Sequence, residues 1–456
     1  MKVPSVISLI NAACFLALLP LPQGPELSPS GGLVAQVRGG PWPMIQTTAA
    51  ISPGSSGGGF FDGQGRLAGL TTFYLENGQS LNPAMPVERI GEAGPGLKPA
   101  AEGPGRTEWV KRAAALETAE NWQGLLDWCQ KWTKSDPENA LAWQNFGLAY
   151  LELNRHNDAV EALRQAVRID PEDADAWYCL GLSYGRLNRH NDAIGAYRQA
   201  VRIDPENADA WYNLGLSYGL LSRRNDAIGA YRQAVRIDPE NVAAWYNLGL
   251  SYGLLNRRND AVEAYRQAVR ISPGYAKAWY NLGLSYGLLN RRNDAVEALR
   301  QAVRIDPEDV AAWYNLGLSY GLLNRRNDAI GAYRQAVRID PDNADAWYNL
   351  GLSCGLLNRR NDAVEALRRA VRISPGYAKA WYNLGLSYGL LKRYDEAVEA
   401  YRQAVRIDAE DARVWFGLGA AYDLSGNKTA ALDAVPELRR LDPAKADELY
   451  NWIMSH

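Results

Sequence analysis

The sequence predicts an all-α solenoid of stacked helical hairpins behind a short β-type segment, and three observations carry that prediction. Tryptophan stands at 109, 143, 177, 211, 245, 279, 313, 347, 381 and 415, and every interval is 34 residues. Within one period, residues 242–275, Trp245, Leu248, Gly249 and Tyr252 fall at repeat positions 4, 7, 8 and 11, and Ala261, Tyr265 and Ala268 at 20, 24 and 27. Each set is one stripe of a helix, so two amphipathic helices face each other. The copies are also nearly identical: PGYAKAWYNLGLSYGLL occurs at 273–289 and again at 375–391. One such hairpin cannot bury its apolar stripe alone, so the copies must stack.

Residues 1–24 open with Met1-Lys2 and an apolar run from Val3 to Leu21, followed by Pro22 and Gly24. They read as a secretory signal, and export to a periplasmic or extracellular space is the expectation, with a cytoplasmic protein the alternative if the segment does not act as one. No other stretch approaches the ~18 consecutive apolar residues of a membrane span. The mature chain is therefore expected to carry none.

Residues 31–91 are rich in Gly, with short β-type runs such as Leu67–Leu75. In Gly54-Ser55-Ser56-Gly57-Gly58 the glycines let a tight backbone expose one hydroxyl beside amide N–H groups that can face an oxyanion. With the apolar hairpin around Gly69 and the segment Asn82-Pro83-Ala84-Met85-Pro86, this resembles the end of a trypsin-like barrel of the Deg/HtrA type. The resemblance implies Ser56 as nucleophile and the amides of Gly54 and Ser56 as oxyanion hole. A serine needs a base oriented by a third group. That family's His and Asp precede the serine, whereas Met1–Ser55 contains neither. The segment is expected to be a truncated remnant, inactive in cis. A serine endopeptidase completed by residues from another chain stays open beside it. Residues 92–106 form a Pro/Gly-rich linker.

The 34-residue unit resembles the tetratricopeptide repeat at each signature position, which implies a right-handed superhelix with a concave inner surface. Residues 107–139 are expected to be a degenerate capping copy, because Ala113, Leu125 and Trp132 replace its small residues; residues 140–445 hold nine regular copies, and 446–456 a terminal cap helix presenting Ala446, Leu449, Tyr450 and Ile453. Gly249 and Ala261 are read as small where two backbones meet, Asp306-Pro307 as an N-cap with proline in the first turn, and Asn256 as a left-handed helix end. His156, His190 and the pair Arg257-Arg258 are expected to be solvated turn residues.

First-helix positions 2, 5, 6, 9, 12 and 13 point away from the second helix and line the inner groove by that resemblance. Position 5 is Tyr178, Tyr212, Tyr246, Tyr280, Tyr314, Tyr348 and Tyr382; position 6 is Asn145, Asn213, Asn247, Asn281, Asn315, Asn349 and Asn383, interrupted by Cys179. A carboxamide donates and accepts, so an evenly spaced row can pair with the backbone of an extended peptide. The row resembles the asparagine ladder of the O-GlcNAc transferase repeat domain. A plain polar lining, and an assembly scaffold binding a folded partner on the convex face, are the other readings. The balance of 49 Lys+Arg against 51 Asp+Glu offers no basic stripe for nucleic acid. Cys14, Cys129, Cys179 and Cys354 are too scattered for a disulfide framework or a zinc site, so neither metal nor cofactor is expected. The expected partner is a protein or an extended peptide, with the oligomeric state left open.

Overall fold

The computed structural model describes residues 106–455 and six short strands between Gln36 and Leu81. The signal segment, Cys14, Gly54, Ser56 and Pro83 lie outside the described residues. The strands pair antiparallel as Gln36–Arg38 with Met44–Gln46, Gly59–Phe61 with Leu67–Leu70, and Phe73–Tyr74 with Ser80–Leu81. Among the described residues they make three separate two-stranded ladders and no wider sheet, so the barrel resemblance rests on the motif alone.

From Arg106 onward the described chain is helical throughout, in hairpins of a first and a second helix. Local chemistry sets each boundary. In the hairpin Ala208–Leu220 and Arg224–Ile237, Asn207 Oδ1 accepts the Ala210 amide at 2.8 Å and starts the first helix. The turn between the helices needs one residue in the left-handed region: Asn256 has φ 57°, with Asn154, Asn188, Asn290, Asn324 and Asn358 alike. The Arg257 amide then reaches back to the Tyr252 carbonyl at 2.9 Å, and the Asn256 amide to Gly253 at 2.9 Å. Between hairpins, Asp306 differs from its expected role. It ends the helix Arg292–Ile305, and its carboxylate accepts the Glu308 amide at 3.2 Å, while the N-cap of the next helix is Asp309, accepting Ala312 N–H at 3.0 Å.

The helices fall into two compact units that part between Asn281 and Leu282. In the unit ending at Asn281, the first hairpin, Arg106–Thr118 and Trp122–Ser135, buries Trp109, Leu116, Leu125, Cys129 and Trp132, with the Trp109 and Trp132 rings stacked 6.0 Å apart. In the unit beginning at Leu282, one core gathers Tyr348, Leu367, Tyr382, Leu384 and Tyr401. Its last helix, Pro443–Ser455, buries Ala446, Leu449 and Ile453 completely. Tyr450 sits on the other side, 43% exposed, one residue out of the apolar stripe.

Inside each hairpin the glycine at position 8 makes room for a side chain rather than for a backbone. A Cβ on Gly249 would sit 2.6 Å from the Tyr265 ring, and one on Gly317 2.5 Å from Tyr333. From Trp143 to Trp415 each position-4 tryptophan donates its indole N–H to the carbonyl six residues earlier, as Trp245 does to Pro239 at 2.9 Å.

Candidate functional site

The position-5 tyrosines lie inside the array. Tyr178, Tyr212, Tyr246, Tyr348 and Tyr382 are buried, and Tyr280 and Tyr314 half-buried. Each ring packs on the position-24 tyrosine of its own hairpin where there is one, as Tyr212 does on Tyr231 with centroids 5.9 Å apart. The hydroxyl accepts a hydrogen bond from the next repeat: Asn213 Nδ2 donates to Tyr178 at 3.4 Å, Asn247 to Tyr212 at 3.2 Å and Asn281 to Tyr246 at 3.1 Å. In the other unit Asn349 donates to Tyr314 at 3.2 Å and Asn383 to Tyr348 at 3.4 Å.

The same amide nitrogens also donate to the carbonyl four residues back, Asn213 to Asp209 at 2.8 Å and Asn383 to Lys379 at 2.8 Å. Asn145 and Asn315 likewise donate to the carbonyl four residues back, of Leu141 and Ala311, at 2.8 Å. Asn145, Asn213, Asn247, Asn281 and Asn383 are buried, with Asn315 and Asn349 half-buried. The ladder exists, but its donors are turned inward. Successive first helices come close enough for tyrosine and asparagine to meet, so the row stitches repeat to repeat where an open peptide-reading ladder was expected.

The turn arginines are also not simply solvated. Arg257 lies 4.5 Å over the Tyr252 ring and pairs with Asp260 at 2.8 Å, and Arg155, Arg189, Arg223, Arg291 and Arg325 repeat both contacts. A guanidinium held over a ring and against a carboxylate clips the turn. His156 and His190 begin second helices and are half-buried, each with an Nδ1 lacking a hydrogen-bond partner. Burial draws the imidazole of His156 down to about 4.

Family models for the tetratricopeptide repeat match residues 128–161, 147–188, 186–222, 212–276, 248–291, 276–309, 323–355, 344–377 and 378–411. The chain belongs to the tetratricopeptide repeat proteins. Its structure is similar to that of YrrB, described as a TPR protein with an unusual peptide-binding site, at 24% identity over 41% of this chain and 96% of that one, with a TM-score of 0.39. MamA aligns at 27% identity over 38% of this chain and 94% of its own, TM-score 0.36, and the Cut9-Hcn1 hetero-tetramer of the APC/C at 17% over 75% and 82%, TM-score 0.35. No match was found among curated proteins. Tetratricopeptide repeats serve as protein-interaction scaffolds, and among the described residues no helix is long and apolar enough to cross a membrane.

What this tetratricopeptide array leaves open on its first helices lies at positions 2, 12 and 13, on the same helical stripe as position 5. Gly287, Gly321 and Gly389 at position 12 have nothing within 4 Å of where a Cβ would stand. The leucines beside them are half-exposed, and Leu220 reaches 36%. The earliest copies depart from this pattern. Glu117 holds position 12 of its helix, and Glu152 and Arg186 hold position 13 of theirs. Sequence reading centred on the most regular positions and passed over these; the signal was the departure from the repeat.

Burial, helped by Glu152, raises the Glu117 carboxyl, and burial raises Asp173 and Asp209 to about 6 each. Burial pushes the Cys179 thiol well up, with the charges of Asp175, Asp173, Glu152 and Glu117 adding to it. It is an inert thiol. Among the described residues, no three His, Cys, Asp or Glu side chains are placed to hold a metal ion.

Proposed function

We propose that the array is a scaffold that holds extended polypeptide along its first-helix face, on the shelf of position-12 glycines and position-13 leucines. The observation that carries this reading is the empty space over Gly287, Gly321 and Gly389 beside half-exposed leucines at a constant 34-residue spacing. A chain laid there meets backbone and apolar side chains at each repeat, so affinity accumulates from weak contacts without demanding one shape.

The test is the changes Gly287→Gln, Gly321→Gln and Gly389→Gln in the full chain, read by fluorescence anisotropy of a labelled, permanently unfolded protein such as reduced, carboxymethylated α-lactalbumin. Space is open where each new Cβ would stand, and replacing a glycine in the last turn of a helix favours the helix by at most about 0.5 kcal/mol at each site. The expected outcome is a raised thermal midpoint together with binding weakened at least tenfold. Unchanged binding removes the shelf as the site.

A second reading, docking of a folded partner on the second-helix side, is favoured by a cleft of about 510 Å³ between Arg300, Arg304, Trp313, Tyr320, Asp328 and Gln335. Gly331→Trp would fill that cleft and leave the shelf untouched, so loss of binding in that variant alone would select this reading. For the N-terminal segment we infer export and no activity in cis. N-terminal sequencing of the secreted protein, and a fluorophosphonate probe compared between the chain and Ser56→Ala, check the two statements.

A further inference from the structure

We infer that the cleft between the helices Arg292–Ile305, Val310–Leu322 and Arg326–Ile339 binds an acidic, aromatic-bearing segment of a protein partner, with its carboxylates on Arg300 and Arg304 and its ring on Trp313. The inference rests on the second reading above, docking on the second-helix side, and names the chemistry of what docks; it is independent of the first-helix shelf. Helical spacing builds the walls. Arg300 and Arg304 stand at i and i+4, so they share one face of their helix. Trp313 and Leu316, at i and i+3 of the next helix, make the floor, Leu316 buried and Trp313 half-buried. The Trp313 indole N–H is committed to the Pro307 carbonyl at 2.9 Å, so what it offers is its ring. The opposite wall holds Gly331 and Gln335, with nothing within 4 Å of where a Cβ on Gly331 would stand. About 510 Å³ is enclosed, room for a few side chains.

The charge in this cleft is uncompensated. In several copies the later arginine of the pair is held by the glutamate 30 residues before it: Arg202 by Glu172 at 2.8 Å, Arg236 by Glu206 at 3.0 Å and Arg338 by Glu308 at 3.3 Å. Thirty residues before Arg304 the chain has Gly274, which carries no carboxylate. The acids closer in sequence are engaged, Glu297 by the Gln301 amide at 3.1 Å and Asp328 by Arg325 at 2.8 Å. Among the described residues neither Arg300 nor Arg304 has an ion-pair or hydrogen-bond partner. Gly331, in turn, stands where other copies carry Glu263, Glu297 and Glu365, and no other junction of the array combines the two glycines. Two like charges one turn apart repel, and a carboxylate bound to both relieves this through charge-assisted hydrogen bonds. The tryptophan and leucine floor beside them suits an apolar or aromatic side chain, which a free inorganic anion lacks. Two arginines in one cleft are too few to track a nucleic-acid backbone.

The experiment uses the full chain and fluorescein-labelled peptides in which Gly-Ser flanks Glu-Phe-Glu-Phe, Gln-Phe-Gln-Phe or Lys-Phe-Lys-Phe, read by anisotropy in low salt. The Glu-Phe peptide is expected to bind at least tenfold more tightly than the Gln-Phe peptide, and the preference should fall several-fold when the salt is raised. The combined change Arg300→Gln and Arg304→Gln, at two exposed positions, should abolish the preference with the circular dichroism spectrum and thermal midpoint retained. Arg236→Gln, the same position two copies earlier, should leave it intact. Gly331→Glu restores the carboxylate of other copies and should weaken the Glu-Phe peptide several-fold while sparing the Gln-Phe peptide. Equal binding of these two peptides, with both lost in Gly331→Trp, overturns the charge selection and leaves the cleft standing as a docking site. Peptide binding that Gly331→Trp does not change overturns both, and failure of every peptide to bind overturns the inference.

Discussion

The two helices of each hairpin differ by one residue in length but divide their surfaces quite differently. The second helix Arg326–Ile339 buries Ala329, Ile330, Ala332, Tyr333, Ala336 and Val337 and turns Arg334 and Arg338 outward. Its pattern is an ordinary apolar stripe opposite a solvated one. The first helix Ala208–Leu220 buries a continuous run from Tyr212 to Tyr218, polar residues included. It packs on its hairpin partner, on the second helix before it and on the next first helix in line. A first-helix residue on the far side from its hairpin partner is therefore not free by default. Its polar groups go first to the neighbouring repeat, and only what that repeat does not use is left for a ligand.

The sharpest way to break this contrast is to add one carbon to each kind of helix. Gly317→Ala drives a Cβ to 2.5 Å from the Tyr333 ring and is expected to destabilise by about 1–3 kcal/mol, while Gly331→Ala meets nothing within 4 Å and should stabilise by about 0.5–1 kcal/mol. Urea midpoints of the two variants should move in opposite directions. If both rise, the first helices are looser than the glycine contact implies.

Next in size is the stitch between first helices. Tyr212→Phe removes the hydroxyl to which Asn247 donates at 3.2 Å and should lower stability by about 1 kcal/mol. The comparable loss on a second helix is smaller. Arg202 and Glu172 pair at 2.8 Å with both side chains more than half exposed, and Glu172→Gln should change the midpoint by less than about 0.5 kcal/mol.

Between these lies a pH effect confined to the first-helix face. Asp209 is held at about 6 against an ordinary value of 3.8, so the fold disfavours its ionised form. Its cost is present above about 6 and is relieved as pH falls through that value, because the folded state then binds a proton the unfolded state lacks. The ceiling is about 3 kcal/mol by the usual conversion, and water at this half-buried site reduces it to about 1 kcal/mol. Asp209→Asn should therefore raise the thermal midpoint at pH 7.5 and lose most of that advantage by pH 4.5. An advantage that does not change with pH would assign the effect to packing.

Much of this was legible in the residues. The 34-residue tryptophan spacing carried the hairpin, and Asn256 announced the left-handed turn because few other residues adopt it without strain. The site was only half legible. The row of Asn213, Asn247, Asn281, Asn349 and Asn383 stood out by its period, yet periodicity reports that a position is used in every copy and not by whom. A ligand and the next repeat impose the same spacing. Glu117 and Glu152 were less visible because they break the pattern, and a break reads as decay until its neighbours are known.

The sequence by itself determined the helices, their left-handed turns and the stacking of hairpins, since these follow from contacts within about one period: helical stripes, turn residues and the apolar area one hairpin cannot cover. Only the tertiary structure decided that Gly249 accommodates the ring of Tyr265, and that Asn213 spends its donors on Tyr178 and its own helix. Those outcomes depend on distances between first helices in successive copies. The chain sets such distances through packing of whole side chains, which no single stretch of sequence contains.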